Sequence, residues 1–201
     1  MSNGNLKVGR VLRASTRGFV IGCRVMTPNI PAFGSFVRAD GLTPQGTIYG
    51  LIYDVSVEDD PFVRQFISAD PPDEVVLDQR ENRQIPIEVS VLAVGCGDDG
   101  AISHCLPAQP PVTLDWLYQC NAEQVRAFTA RFGYFRLVLE AREVPADELL
   151  AASLRAGAAC RPERERETFL VKAGRELARL LAGDPVRLEG LLRRLQNEGA
   201  I

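Results

Sequence analysis

Residues 7–60 constrain the fold most: they are a series of short apolar runs cut every few positions by glycine or proline. Val8, Val11 and Leu12 form one run, and Phe19, Ile21, Cys23 and Val25 alternate along a second. Phe36 and Val37 mark a third, and Thr47, Tyr49, Leu51, Tyr53, Val55 and Val57 alternate along a fourth. A period of two over such lengths is that of half-buried β-strands, and four short strands this close in sequence predict a small barrel. On the second strand the odd positions carry the apolar residues, so that face is expected inside. Gly50 falls mid-strand, where a barrel strand bends or a neighbouring backbone comes close.

Between the strands, Ser15-Thr16-Arg17-Gly18 reads as a turn. Pro28 and Pro31 deny ladder hydrogen bonds to their segment, which makes Thr27–Ala32 a loop over the barrel rim. Asp59-Asp60-Pro61 supplies a capping residue and a first-turn proline for a short helix over Phe62–Ile67. Residues 59–84 as a whole read as an insertion. Strand character returns from Ile85, with Ile87, Val89 and Val91 alternating. A turn at Gly97–Gly100 leads into Ala101–Leu106, a hairpin expected to complete a six-stranded barrel.

The glycines are ordered in a way that points to a family. Gly9-Arg-Val near the start, Gly34-x-Phe-Val in the middle, and Gly50-Leu-Ile followed by Asp54 resemble the HAS-barrel, the small N-terminal β-barrel of HerA-type hexameric ATPases, akin to the barrel of rotary ATP synthase subunits. The resemblance implies an assembly module, with a HerA-like DNA-translocating ATPase or its nuclease as partner, in DNA processing or repair. It does not extend to catalysis. A phosphate-binding loop needs G-x-x-x-x-G-K-[ST], and the two lysines, Lys7 and Lys172, have no such context. The expectation is a non-catalytic adaptor that holds neither cofactor nor metal.

Pro107, Pro110 and Pro111 mark a boundary between residues 1–110 and 111–201. Beyond it the period changes to that of helices. Leu114, Trp116, Leu117 and Tyr118 cluster, and Asn121-x-x-Gln124 has the spacing of a capping box ahead of Val125, Phe128 and Phe132. Gly133 ends that helix, and Tyr134–Leu139 reads as a short strand or an approach to the next helix, from about Pro145 to Gly157. Arg161–Leu181 and a segment opened by Asp184-Pro185 read as a helical hairpin. The fold class is therefore α+β, a barrel followed by a helical domain.

At 201 residues and 46% hydrophobic content the chain can fill a core. No apolar run nears the roughly 18 residues of a membrane span, and Lys7, Arg10, Arg13 and Arg17 interrupt any signal-like start. A cytoplasmic, membrane-free protein is expected. Its five cysteines, with uneven spacing, read as reduced and mostly buried thiols.

Candidate chemistry is sparse. His104 is the only histidine. With Cys96, Cys105 and Cys120 it could supply four zinc ligands, but no C-x-x-C spacing supports that. A His104–Cys105 dyad is opposed by the parity of a strand, which points neighbours to opposite faces. Asp98 and Asp99 read as turn residues. Arg10, Arg13, Arg17, Arg24 and Arg38 give the barrel a basic tint that could contact nucleic acid weakly, although the aromatics that usually accompany such a face are not beside them. The partner surface is placed on the rim loop as it runs on to Gly34, at Ile30 and Phe33 within Thr27–Gly34, with Arg24 and Arg38 nearby. A nucleic-acid-binding small barrel is the alternative function, and a hydrolase with an unrecognised site a third.

Overall fold

The computed structural model describes residues 6–23, 32–41, 46–57, 64, 68–69, 71–75, 87–98 and 101–196. The described residues form seven strands: β1 (Lys7–Ala14), β2 (Gly18–Cys23), β3 (Phe36–Asp40), β4 (Thr47–Val57), β5 (Ile87–Asp98), β6 (Ala101–Ser103) and β7 (Trp116–Gln119). Six of them close into a ring, β1-β2-β5-β4-β3-β7 and back to β1, every neighbour antiparallel. The interior is filled by Val8, Val11, Phe19, Ile21, Cys23, Val37, Ala39, Ile48, Ile52, Ile87, Val89, Val91 and Leu117, each at most 9% exposed. A barrel of this size leaves room for side chains and little else. The odd face of β2 points inward, as its alternation predicts.

Six strands close the barrel, but not through the hairpin expected to complete it. Among the described residues β6 pairs only with β5, as a flap outside the ring. The sixth staff is β7, from the segment assigned by sequence to the helical half, and it threads between β1 and β3. The reason lies in β5. Its first half, Ile87–Leu92, pairs with β2, while its far end, Cys96–Asp98, has left β2 and carries β6. Irregularities in the β4–β5 register, at Tyr49/Gly50 and Ile52/Asp54, bend the pair between those halves. Leu117 then drops into the interior and supplies the missing core residue of the β1–β3 gap.

The helices are α1 (Ala122–Phe128), α2 (Tyr134–Glu140), α3 (Ala146–Ala159), α4 (Glu163–Leu180) and α5 (Pro185–Gln196). The capping box is formed: the Asn121 side chain accepts from the Gln124 amide at 2.9 Å, and the Gln124 side chain accepts from the Asn121 amide at 3.0 Å. Tyr134–Glu140, one reading of which was a strand, is helical; Tyr134, Phe135 and Val138 recur at helical spacing and all are buried. Residues 73–75 are also helical, whereas the expected helix over Phe62–Ile67 and the rest of the insertion lie largely outside the described residues.

A second core joins these helices to the outside of the barrel. Phe36, Tyr49, Leu51, Leu92 and Val94 point away from the ring and meet Phe128, Tyr134, Phe135, Leu149, Leu150 and Leu154. The alternation legible in β4, Tyr49-Leu51-Tyr53, is therefore the helix-facing side, and Ile48, Gly50 and Ile52 line the barrel. Phe128 is the centre of an aromatic cluster, 5.6 Å from Phe36, 5.0 Å from Tyr49 and 5.4 Å from Tyr134 between ring centroids. Helix α3 is the middle of the helical layer, with Leu149, Leu150, Ala151, Ser153, Leu154, Gly157 and Ala158 buried. Arg187 pairs with Asp147 at 2.8 Å and Arg194 pairs with Glu148, tying α5 to α3. Arg161, just past α3, donates to the carbonyls of Gly157, Arg126 and Thr129 and lies 3.8 Å from the Phe169 ring. One guanidinium thus satisfies the ends of two helices while covering a third.

Gly50 sits where the bend forms. A Cβ there would lie 2.3 Å from Cγ1 of Val91 inside the barrel, so Gly50→Ala should lower stability by about 1–3 kcal/mol, the usual range for overpacking. Urea denaturation of Gly50→Ala, Val91→Ala and the double variant checks this. The double variant should be less destabilised than the sum of the singles; strict additivity would show that the two positions do not compete for the same space.

Candidate interaction surface

Strand β7 decides the character of the outer face on this side of the barrel. Leu117 points inward, so the period of two turns Trp116 and Tyr118 outward. Arg10 of β1 is the register partner of Trp116, and both Lys7 of β1 and Arg38 of β3 are register partners of Tyr118. The cations settle on the rings. The Arg10 guanidinium is 4.0 Å and the Lys7 ammonium 4.5 Å from the Trp116 centroid, and Arg38 is 5.1 Å from that of Tyr118. The result is a face of β1, β7 and β3 on which three cations and two aromatics interleave.

Arg38 carries the electrostatic interest of this face. Its side chain is only 14% exposed, and it pairs with the Asp40 carboxylate at 3.6 Å. Its Nε is buried with no hydrogen-bond partner, so the guanidinium has donor capacity that the fold does not use. Arg13, by contrast, is paired with Glu88 at 3.2 Å.

The turn before β7 adds an apolar edge. Leu114 has φ of 72°, the one described non-glycine residue in the left-handed region, and it is 63% exposed. That conformation is unfavourable for a γ-branched side chain. It is held by two bonds to β1: the Leu114 amide donates to the Val11 carbonyl at 2.8 Å, and Arg10 Nη1 donates to the Leu114 carbonyl at 2.6 Å. Leu12 lies over Gly22, the register partner of Arg10, and is also exposed.

The residues singled out from sequence fall in different places. Arg38 is on the face just described. Phe33 is exposed in the turn before β3, beside Gly34, whose φ is +81° and whose missing Cβ would lie 2.4 Å from Ala152 of α3. The end of the rim loop is therefore seated on the helical layer. Ile30 and Arg24 lie outside the described residues. The reading that no aromatics accompany the barrel arginines is corrected: Trp116 and Tyr118 do, from a strand that sequence assigned elsewhere. The signal was present in Trp116-Leu117-Tyr118, an aromatic-aliphatic-aromatic alternation too short to establish a period.

The histidine and cysteine set does not converge. His104 turns inward, its Nε2 3.1 Å from the Phe128 carbonyl to which it donates, its ring 4.6 Å from that of Phe128 and 5.4 Å from that of Tyr134. Cys105, its neighbour, turns the other way, its sulfur 2.8 Å from that of Cys96. Burial pushes the Cys120 thiol up to about 12 and also raises Cys23 and Cys160. Among the described residues no group of three or more His, Cys, Asp or Glu side chains is placed to hold a metal, and no helix is long and apolar enough to cross a membrane.

Burial lowers the His104 pKa below its ordinary value. The unfolded chain, whose histidine titrates near 6.5, therefore binds the proton more readily than the folded one. The stability this contributes is present above about pH 6.5 and is lost as pH falls towards the depressed folded value. The urea midpoint should drop between pH 8 and pH 5.5, and His104→Gln, which keeps a donor for Phe128, should flatten that drop. An unchanged slope in the variant would locate the pH dependence elsewhere.

Compared with known proteins, the chain matches no family model and no curated protein in sequence.

Proposed function

We propose that this chain is a non-catalytic assembly or adaptor subunit that works through the outside of its barrel, and that its partner is a HerA-like DNA-translocating ATPase or the associated nuclease. The observation that carries the adaptor reading is the contrast between the two sides of the barrel wall. Inside, Val11, Ile21, Val37, Ile52, Val89 and Leu117 leave at most 1% of their surface exposed; outside, Phe33, Leu12 and Leu114 stand in solvent. Apolar side chains on an ordered strand and its ordered turns lose little entropy on docking and suit the centre of an interface.

The choice of partner rests on the HAS-like glycine pattern. Three of the glycines that carry it occupy positions with no room for a side chain: Cβ atoms at Gly9, Gly34 and Gly50 would approach the Gly22 carbonyl oxygen, Ala152 and Val91 within 2.5 Å. Gly9 and Gly50 are thus required by packing within the barrel, against β2 and β5, and Gly34 by its contact with α3. The chain brings no phosphate-binding loop of its own, so ATP turnover in the complex belongs to the partner.

A second reading, a nucleic-acid-binding barrel, is favoured by one observation: the alternation of Lys7, Arg10 and Arg38 with Trp116 and Tyr118. Bases stack on aromatic rings while cations hold the backbone, and this works without sequence preference. With a net charge of −3 on the whole chain, such binding would be weak and strongly salt-dependent.

Two experiments separate the readings. Ile30→Ser with Phe33→Ser should abolish co-purification of the HerA-like ATPase or nuclease while the circular dichroism spectrum stays native; a folded variant that still co-purifies would remove the rim loop from the interface. For the second reading, fluorescence anisotropy with a labelled single-stranded oligonucleotide at low salt should show binding that Trp116→Ala weakens about tenfold. Undiminished binding by a folded Trp116→Ala would dismiss that face.

A further inference from the structure

The parity that turns His104 into the aromatic cluster turns Cys105 out towards β5. Cys96 of β5 is the register partner of Ser103, the last residue of β6, and Cys105 follows two positions later. The two sulfurs are 2.8 Å apart, so the roughly 2.05 Å of a disulfide requires less than about 1 Å of approach. Cys105 is exposed and Cys96 half-buried. Cys23 donates to the Ile87 carbonyl inside the barrel, and Cys120 is buried under the helices.

We propose that Cys96 and Cys105 are a reversible two-electron redox pair, oxidised by hydrogen peroxide to an intramolecular disulfide and restored by a dithiol reductant. The asymmetry in exposure assigns the roles. The Cys105 thiolate, open to solvent, attacks one peroxide oxygen; the O–O bond breaks, Cys105 becomes a sulfenic acid, and the departing hydroxide takes up a proton as water. The Cys96 sulfur then attacks the Cys105 sulfur. The S–S bond forms, the S–O bond breaks, and the oxygen leaves as a second water with the Cys96 proton. Two thiols and one peroxide give one disulfide and two waters, with the two electrons passing from sulfur to the peroxide oxygens. Cys96 is close enough to resolve the sulfenic acid before a second peroxide can carry it to the irreversible sulfinic acid.

The position of the pair gives the oxidation a structural effect. Residues 102–105 are already fastened to the helical layer, since Arg131 donates to the Ile102 carbonyl and His104 to that of Phe128. A covalent link from Cys105 to β5 would secure the same segment to the barrel. It would fix the point from which the chain leaves the flap for β7.

The test uses the full chain, fully reduced and then exposed to hydrogen peroxide. Remaining thiols are alkylated with N-ethylmaleimide under denaturing conditions and mapped by mass spectrometry. Of the five cysteines, three should remain alkylatable, a Cys96–Cys105 linked peptide should appear in a chain that runs as a monomer on a non-reducing gel, and dithiothreitol should restore all five. Cys96→Ser should divert Cys105 to sulfinic acid, and Cys105→Ser should leave Cys96 reduced. The proposal is overturned if peroxide leaves five alkylatable thiols, if wild-type Cys105 accumulates as sulfinic acid, or if the link joins another cysteine or a second chain. Should either variant fail to fold, the wild-type peptide map alone decides.

Discussion

The fold depends on β4 and β5 being buried on both faces. An antiparallel sheet usually keeps one face for water; here Ile48, Ile52, Val89 and Val91 fill the barrel while Tyr49, Leu51, Leu92 and Val94 carry the helices. Two cores therefore share one wall. The bend at Gly50 serves both, because it lets Val91 approach inside the ring and swings the far end of β5 away from β2. Without that departure β6 would have no edge to pair with, and His104 would not reach the Phe128 carbonyl.

Local chemistry was legible wherever it was decided locally. The inward face of β2 follows from Phe19, Ile21 and Cys23, and the start of α1 from Asn121 and Gln124, because a two-residue alternation and a capping box each need only near neighbours. The class of fold, strands followed by helices around a small barrel, followed from the change of period. The closing strand did not. Four residues cannot display a period, and three prolines just upstream gave every sign of a boundary. The membership of β7 is decided by partners far away in sequence, such as Arg10 and Leu114, 104 positions apart, and no local signal encodes such a pairing.

The same strand explains why the surface was misread. Arginines on β1 and β3 have no aromatic neighbours along their own strands, and sequence offers no view across a ladder. Once β7 is inserted, Trp116 and Tyr118 stand between them, and the basic tint becomes a face on which cations and aromatic rings interleave. Arg38 illustrates the consequence: its guanidinium lies over the Tyr118 ring, with Nε unsatisfied beneath the surface and Asp40 at 3.6 Å. The cysteines divide in the same way. Burial sets Cys23 and Cys120 apart from solvent, while the flap formed by β6 brings Cys96 and Cys105 together.

The place of β7 in the chain also bears on biosynthesis. Because the last stave of the ring is the last to be translated, a nascent chain that has exposed β1 through β6 still has two open edges, on β1 and β3. Unpaired edges are where strands of other chains add. The barrel can seal only when residues 116–119 have left the ribosome; Asn121 opens α1 immediately afterwards, whereas α3, the middle of the helical cover, follows only at Ala146–Ala159. Long-range closure of this kind is slow compared with helix formation. The proline-rich segment ahead of β7 restricts the wandering of that final strand and shortens the search for its slot.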